Sequence, residues 1–158
     1  MIEVYPGLFV GSQEDEASIK GQDGWYIVHA AKHPYHQKAL GYVERAAPKE
    51  HPEYLIALRP GCIILNLIDA NDAAYIPQQL IDGALLAIDL NILKSKVLVH
   101  CNQGLSRSPT IAIMYLNRFT DRFHGMDYDA AVQEFKAIYP AYAPAKGMAD
   151  YARAHWRS

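Results

Sequence analysis

Cys101 and Arg107 bracket five residues, Asn102, Gln103, Gly104, Leu105 and Ser106, and Ser108 follows the arginine. Val97, Leu98, Val99 and His100 lead into this stretch, and an apolar segment from Pro109 to Phe119 leaves it. A loop that passes from a buried strand to a helix N-terminus turns several backbone N–H groups inward, where the positive end of the helix dipole adds to them. Gly104 lets such a loop wrap closely. Arg107 supplies a planar fork matched to two oxygens of a tetrahedral oxyanion, which a lysine ammonium cannot reproduce. The same positive surroundings favour a thiolate on Cys101, the nucleophilic form of a cysteine. Together these residues point to phosphoester chemistry at a sulfur nucleophile.

The flanking elements can be read from hydrophobic pattern and punctuation. Val4, Leu8 and Val10 alternate around a Pro6-Gly7 turn and predict two short paired strands. Ser12, followed by Glu14, Asp15 and Glu16, reads as a helix cap with a favourable acidic first turn, and Gly21 and Gly24 stop that helix. Trp25 to Ala31 is the next strand. From Lys32 to Pro60 no period is sustained, and short helices are expected near Gln37–Val43 and Pro52–Leu58. Cys62 to Ile68 is a continuous apolar run, as in a strand covered on both faces. The polar segment Asp69–Asp72 closes it. Pro77 opens a helix with a stripe of Leu80, Ile81, Ala84, Leu85, Ile88 and Ile92. After Phe119, a helix capped by Asp127 or Asp129 runs to Pro140, and Met148, Tyr151, Ala152, His155 and Trp156 mark a last one. Alternating strands and helices predict an α/β fold, and open α/β sheets bind ligands beyond the carboxyl ends of their strands. Both Asp72 and Cys101 fall at such ends.

Composition narrows the function classes. The chain has 158 residues, about half of them apolar, so one domain spanning 1–158 with one core is expected. Fifteen basic and seventeen acidic residues give a net charge of −2, which offers no field for nucleic acid or an anionic membrane. Two cysteines, Cys62 and Cys101, form no CxxC pair. A disulfide framework or cysteine zinc site is not expected, and a reducing, cytoplasmic location fits. The N-terminus has neither a basic nor a long apolar leader region, and no stretch has the length of a bilayer span. His33 and His36 lack a matched second pair and read as solvated loop histidines rather than metal ligands. Cys62 reads as core, with a protective disulfide to the reactive sulfur as the less favoured role.

His100, Cys101, Gly104, Ser106, Arg107 and Ser108 reproduce the pattern HCxxGxSRS, and on these residues the chain resembles the compact dual-specificity branch of the protein tyrosine phosphatase superfamily. The likeness extends to Pro6–Gly11, to Ala70-Asn71-Asp72, and to a helix with Tyr128, Ala131 and Val132 followed by Pro140 and Pro144; it is poor between Lys32 and Pro60. The resemblance implies a single α/β domain with a central, mostly parallel twisted sheet and helices on both faces. It also implies a two-step reaction through a phosphocysteine on Cys101, with no cofactor and no metal. Arg107 and the amides of Asn102, Gln103, Gly104, Leu105 and Ser106 would hold the phosphoryl oxygens. Ser108 would bond the sulfur, and His100 would brace the loop from beneath. An aspartic acid would protonate the leaving oxygen, and Asp72, inside the Ala-Asn-Asp stretch, is preferred to Asp69.

The expected partner is a phosphorylated protein or peptide carrying phosphotyrosine, with phosphoserine and phosphothreonine as further substrates of a monomeric enzyme. The same chemistry on a phosphoinositide, RNA 5′-phosphate or sugar phosphate is the alternative, together with a non-catalytic phosphate-binding module. None of the five residues between Cys101 and Arg107 is charged, which argues against a highly anionic headgroup.

Overall fold

The computed structural model describes residues 1–157 and is built on one six-stranded sheet. Its strands are β1 (Ile2–Tyr5), β2 (Leu8–Gly11), β3 (Trp25–His29), β4 (Ile56–Arg59), β5 (Cys62–Leu65) and β6 (Lys96–His100), in the order β1-β2-β6-β3-β5-β4. The inner strands β2, β6, β3 and β5 are parallel, while β1 and β4 close the edges as antiparallel hairpin partners. The mostly parallel α/β sheet read from the sequence is therefore present. Central β6 is the strand that carries the His100-Cys101 step.

The helices are α1 (Gln13–Ile19), α2 (Gln37–Leu40), α3 (Gln78–Asn91), α4 (Arg107–Phe119), α5 (Tyr128–Ile138) and α6 (Lys146–Ala154). Strand registers divide the sheet's side chains between two faces. Leu8, Val10, Val28, Ile63, Val97 and Val99 join one core cluster with α3–α6. Phe9, Ile27, Leu98 and His100 point the other way, where α1 covers the strands. The stripe of α3 packs as expected, with Leu80, Ile81, Ala84, Leu85 and Ile88 buried. Helix α4 is buried from Ser108 through Leu116, so its N-terminus is fixed inside the molecule. Ser12 caps α1 in a reciprocal box with Asp15, and Asp127 caps α5 through Ala130 N at 2.8 Å.

The Lys32–Pro60 excursion departs from expectation in two ways. Pro52–Leu58 is not a helix: turns lead into β4, which pairs Ile56 with Leu65 and Arg59 with Cys62. His36 is not solvated either. It is fully buried and sits between the Tyr42 hydroxyl at 3.0 Å and the Glu53 carbonyl at 2.9 Å. The carbonyl can only accept, so His36 Nε2 carries the proton and Tyr42 donates to Nδ1. Arg59 grips both oxygens of Glu53 at 2.8 and 3.1 Å and closes the excursion. His33 remains exposed, against Gln37 at 2.7 Å.

Candidate active site

Strand β6 ends at His100 and α4 begins at Arg107, so Cys101–Ser106 is the loop between them. Its outward-facing groups are tied to the surrounding chain. Asn102 O accepts from Gln13 N at 3.0 Å, Leu105 O from Ala143 N at 2.8 Å, and Gly104 O from the Tyr139 hydroxyl at 2.6 Å. Burial, with the Cys101 sulfur adding to it, pushes the Tyr139 phenol up to about 12, which keeps it a neutral donor. With its carbonyls held outside, the loop leaves its amides for the concave side. Ser106 precedes α4 without a side-chain cap, so the first-turn amides of α4 also keep their hydrogens for an anion.

Close approach makes this curl possible. Gly104 has φ +76°, and a Cβ there would lie 3.0 Å from the Gly11 backbone and from the Tyr139 oxygen. Any larger residue at Gly104 meets both the left-handed backbone penalty and this contact.

Cys101 is 2% exposed, at the floor of a cavity of about 270 Å³ whose wall includes Asp69, Asn102, Gln103, Leu105, Ser106 and Arg107. Its Sγ lies 3.2 Å from Ser108 Oγ and accepts from Gly104 N at 3.3 Å. Ser108 Oγ also reaches Gly11 O at 3.1 Å. One hydroxyl hydrogen faces two acceptors, and a thiolate draws it to sulfur. Arg107 donates to Leu67 O at 3.1 Å and to Asn102 Oδ1 at 2.6 Å, which orients the guanidinium. Its Nε is buried with no partner, a donor that an oxyanion oxygen would satisfy.

His100 is fully buried beneath the loop, with Nδ1 3.0 Å from Cys101 O. That carbonyl assigns the proton to Nδ1, so Nε2 is the acceptor that meets His29 Nδ1 at 2.6 Å. Burial, together with repulsion from His100, pulls His29 down to about 3, and burial pulls His100 down to about 4. Both rings are neutral at pH 7. Tyr35 stacks on His29 at 4.8 Å and meets His100 edge-on at 4.7 Å.

The two candidate acids occupy different places. Asp69 lies in the cavity wall and accepts from Ser106 Oγ at 2.6 Å, while that hydroxyl receives Ala145 N at 2.8 Å. Asp72 is exposed, with one oxygen accepting Ala74 N at 2.9 Å, and it does not line the cavity. Cys62 is far from Cys101. It pairs with Ile27 two positions before the His29 level, and β3 separates its strand from β6. The offset is about 10 Å across the sheet and a similar distance along it, beyond disulfide reach. Tyr139, His29 and the Ala143–Ala145 backbone are site components that sequence reading missed. The dense Tyr139-Pro140-Ala141-Tyr142-Ala143-Pro144 stretch was the available signal for two of them.

The fold is one shared with solved dual-specificity phosphatases. Among solved structures, that of DUSP15 matches with a TM-score of 0.63 and 18% identity, over 98% of this chain and 85% of that one. The Cydia pomonella PTP-2 phosphatase matches with 0.63 and 18%, over 97% and 88%. Human DUSP28 matches with 0.59 and 19%, over 97% and 90%. By sequence, the chain matches no protein-family model and no curated protein. No helix among the described residues is long and apolar enough to cross a membrane.

Proposed function

We propose that the protein is a cysteine-dependent phosphatase that hydrolyses phosphomonoesters of proteins, phosphotyrosine foremost and phosphoserine or phosphothreonine with it. The observation that carries this reading is Cys101 Sγ on the floor of the cavity, against Ser108 Oγ and Gly104 N, with Arg107 in the wall. In the first step the thiolate attacks phosphorus, the P–O bond to the alcohol breaks, and an aspartic acid gives its proton to the leaving oxygen. In the second, that carboxylate takes a proton from water, the water oxygen attacks phosphorus, and the P–S bond breaks to return the thiolate. The Ser108 hydrogen turns to sulfur as it leaves. Arg107 and the amides of Asn102–Arg107 hold the equatorial oxygens, where charge develops.

Asp72 is the proposed proton donor. One of its oxygens accepts from Ala74 N and the residue is exposed to solvent, whereas Asp69 is engaged in fixing Ser106. One observation favours the reverse assignment: Asp69, not Asp72, lines the cavity. Substrate choice is assigned to the Lys32–Pro60 excursion. His33 O holds Asn102 Nδ2 at 2.9 Å, and Lys32, His33 and Arg45 line a second cavity of about 330 Å³.

The test is Cys101→Ser together with a substrate panel at one pH. The variant should lose at least about 10⁴-fold in turnover of an aryl phosphate while still binding vanadate; undiminished turnover would sink the nucleophile assignment. On phosphotyrosine, phosphothreonine, phosphoinositide and nucleotide substrates, the wild type should prefer the phosphopeptides. A preference for the lipid or the nucleotide would move the reading to a non-protein phosphate.

A further inference from the structure

On the face of the sheet covered by α1, three potential ligands from three elements converge: Glu16 from α1, His29 from β3 and His100 from β6. One donor atom from each lies within 4.8 Å of the other two. Neither Glu16 nor His29 lines the anion cavity.

We propose that Glu16, His29 and His100 form a zinc-binding site, distinct from the anion loop and lying behind it. Glu16 is only 6% exposed, and among the described residues no cation lies within ion-pair distance of it. A buried carboxylate ordinarily has a cationic partner or binds a metal. The nearest candidate on its own helix, Lys20 one turn on, is exposed. His100 is tied as ligating imidazoles are: Nδ1–H is spent on Cys101 O at 3.0 Å, which aims the Nε2 lone pair forward. Two imidazoles and a carboxylate are a donor set suited to zinc, with a fourth position left for water. A cavity of about 320 Å³, with Glu16, Ile27, His29, Tyr35 and Cys62 in its wall, gives access from solvent.

Metal-free, His29 Nδ1–H donates to His100 Nε2 across 2.6 Å. Tetrahedral zinc with bonds near 2.0–2.1 Å needs its ligands roughly 3.3 Å apart. The two nitrogens therefore part by several tenths of an ångström, and Glu16 closes in. The His29 proton moves from Nδ1 to Nε2, so the ring stays neutral and the ion takes the place of that hydrogen. Through the His100–Cys101 bond, the ion would also stiffen the start of the anion loop.

The test uses the full chain with Cys101→Ser, so that zinc cannot bind the reactive sulfur. Titration calorimetry with zinc chloride should show one ion per chain with a Kd of about 10 µM or tighter, and a hundredfold excess over Kd should raise Tm by about 5 °C or more. Adding Glu16→Gln or His29→Asn should weaken binding at least tenfold; asparagine keeps a hydrogen-bonding group against His100. Cobalt substituted into the Cys101→Ser chain should show the visible bands of a four-coordinate nitrogen and oxygen set, a readout independent of whether the added variants fold. No binding tighter than about 100 µM overturns the site. Undiminished binding in both added variants also overturns it, since it would place the ion on surface histidines such as His33 or His124.

Discussion

Two loops meet across the cavity, and the chain holds them in opposite ways. Cys101–Ser106 is fastened by Gln13, Tyr139, Ala143 and Ala145, segments scattered from one end of the sequence to the other. Asp69–Asp72 leaves β5 with three of its four residues exposed, held by Gly147 N on Ala70 O at 3.1 Å and by the Asp69–Ser106 bond. The difference follows the two tasks. Stabilising charge on a phosphoryl group requires dipoles already aimed before the reaction, because reorienting them during it raises the barrier. Moving a proton requires a carboxyl that reaches both the leaving oxygen and water.

The sharpest way to break this comparison is Arg107→Lys. If the rigid loop acts through a fixed fork, lysine keeps the charge but loses the paired ties to Leu67 and Asn102 that aim it. Turnover of an aryl phosphate, measured as kcat/KM, should fall by about 10³-fold. A loss under tenfold would mean that net charge, not orientation, is what the loop supplies.

The exposed-acid half is tested by leaving-group dependence. Asp72→Asn should lower kcat by about 10²-fold for a poor leaving group such as phenyl or alkyl phosphate, and by much less for a nitrophenyl or umbelliferyl ester that departs without a proton. Asp69→Asn should act equally on both, through a loosened Ser106. If Asp69→Asn instead shows the leaving-group pattern, the cavity wall holds the acid and the division between the loops fails.

This contrast also explains what could be read from the sequence. The anion loop is legible because its chemistry is local: nucleophile, glycine, arginine and hydroxyl lie within eight consecutive residues, and the apolar runs on either side show the strand and helix that carry them. Capping of α1 by Ser12 and of α5 by Asp127 is local as well. Edge strand β4 was missed because only Ala57 of its four residues is fully buried, so no alternation marks it and pairing to β5 alone makes it a strand. His36 misled for a related reason. A histidine between Tyr35 and Gln37 looks solvated until Tyr42 and Glu53 fold back onto it. Tyr139 reads as a helix-end aromatic, and its bond to Gly104 O spans 35 positions. The choice between Asp69 and Asp72 rests on a difference of three residues within one turn, which no periodicity resolves.

The smallest expected effect concerns the footing of the rigid loop. His100 lies at about 4 and His29 at about 3, each depressed first by burial, and burial also lowers His36. In the unfolded chain these imidazoles return to about 6.5. As pH falls below about 6.5, the unfolded chain takes up protons that the folded chain refuses. Their contribution to stability is therefore fully present above that value and is lost as pH drops toward 4. Each fully displaced proton is worth about 1.4 kcal/mol per pH unit, so two imidazoles that take up protons only in the unfolded chain give a combined slope of roughly 2–3 kcal/mol per unit between pH 6 and 5. Urea unfolding with a chelator present, at pH 7.5, 6.0 and 5.0, measures it above the range near 4 where unfolded carboxylates titrate. His29→Asn should reduce the slope by about half. A flat profile in the wild type would mean that the anion loop does not rest on neutral imidazoles, and its rigidity would then come from the Gln13, Tyr139, Ala143 and Ala145 contacts.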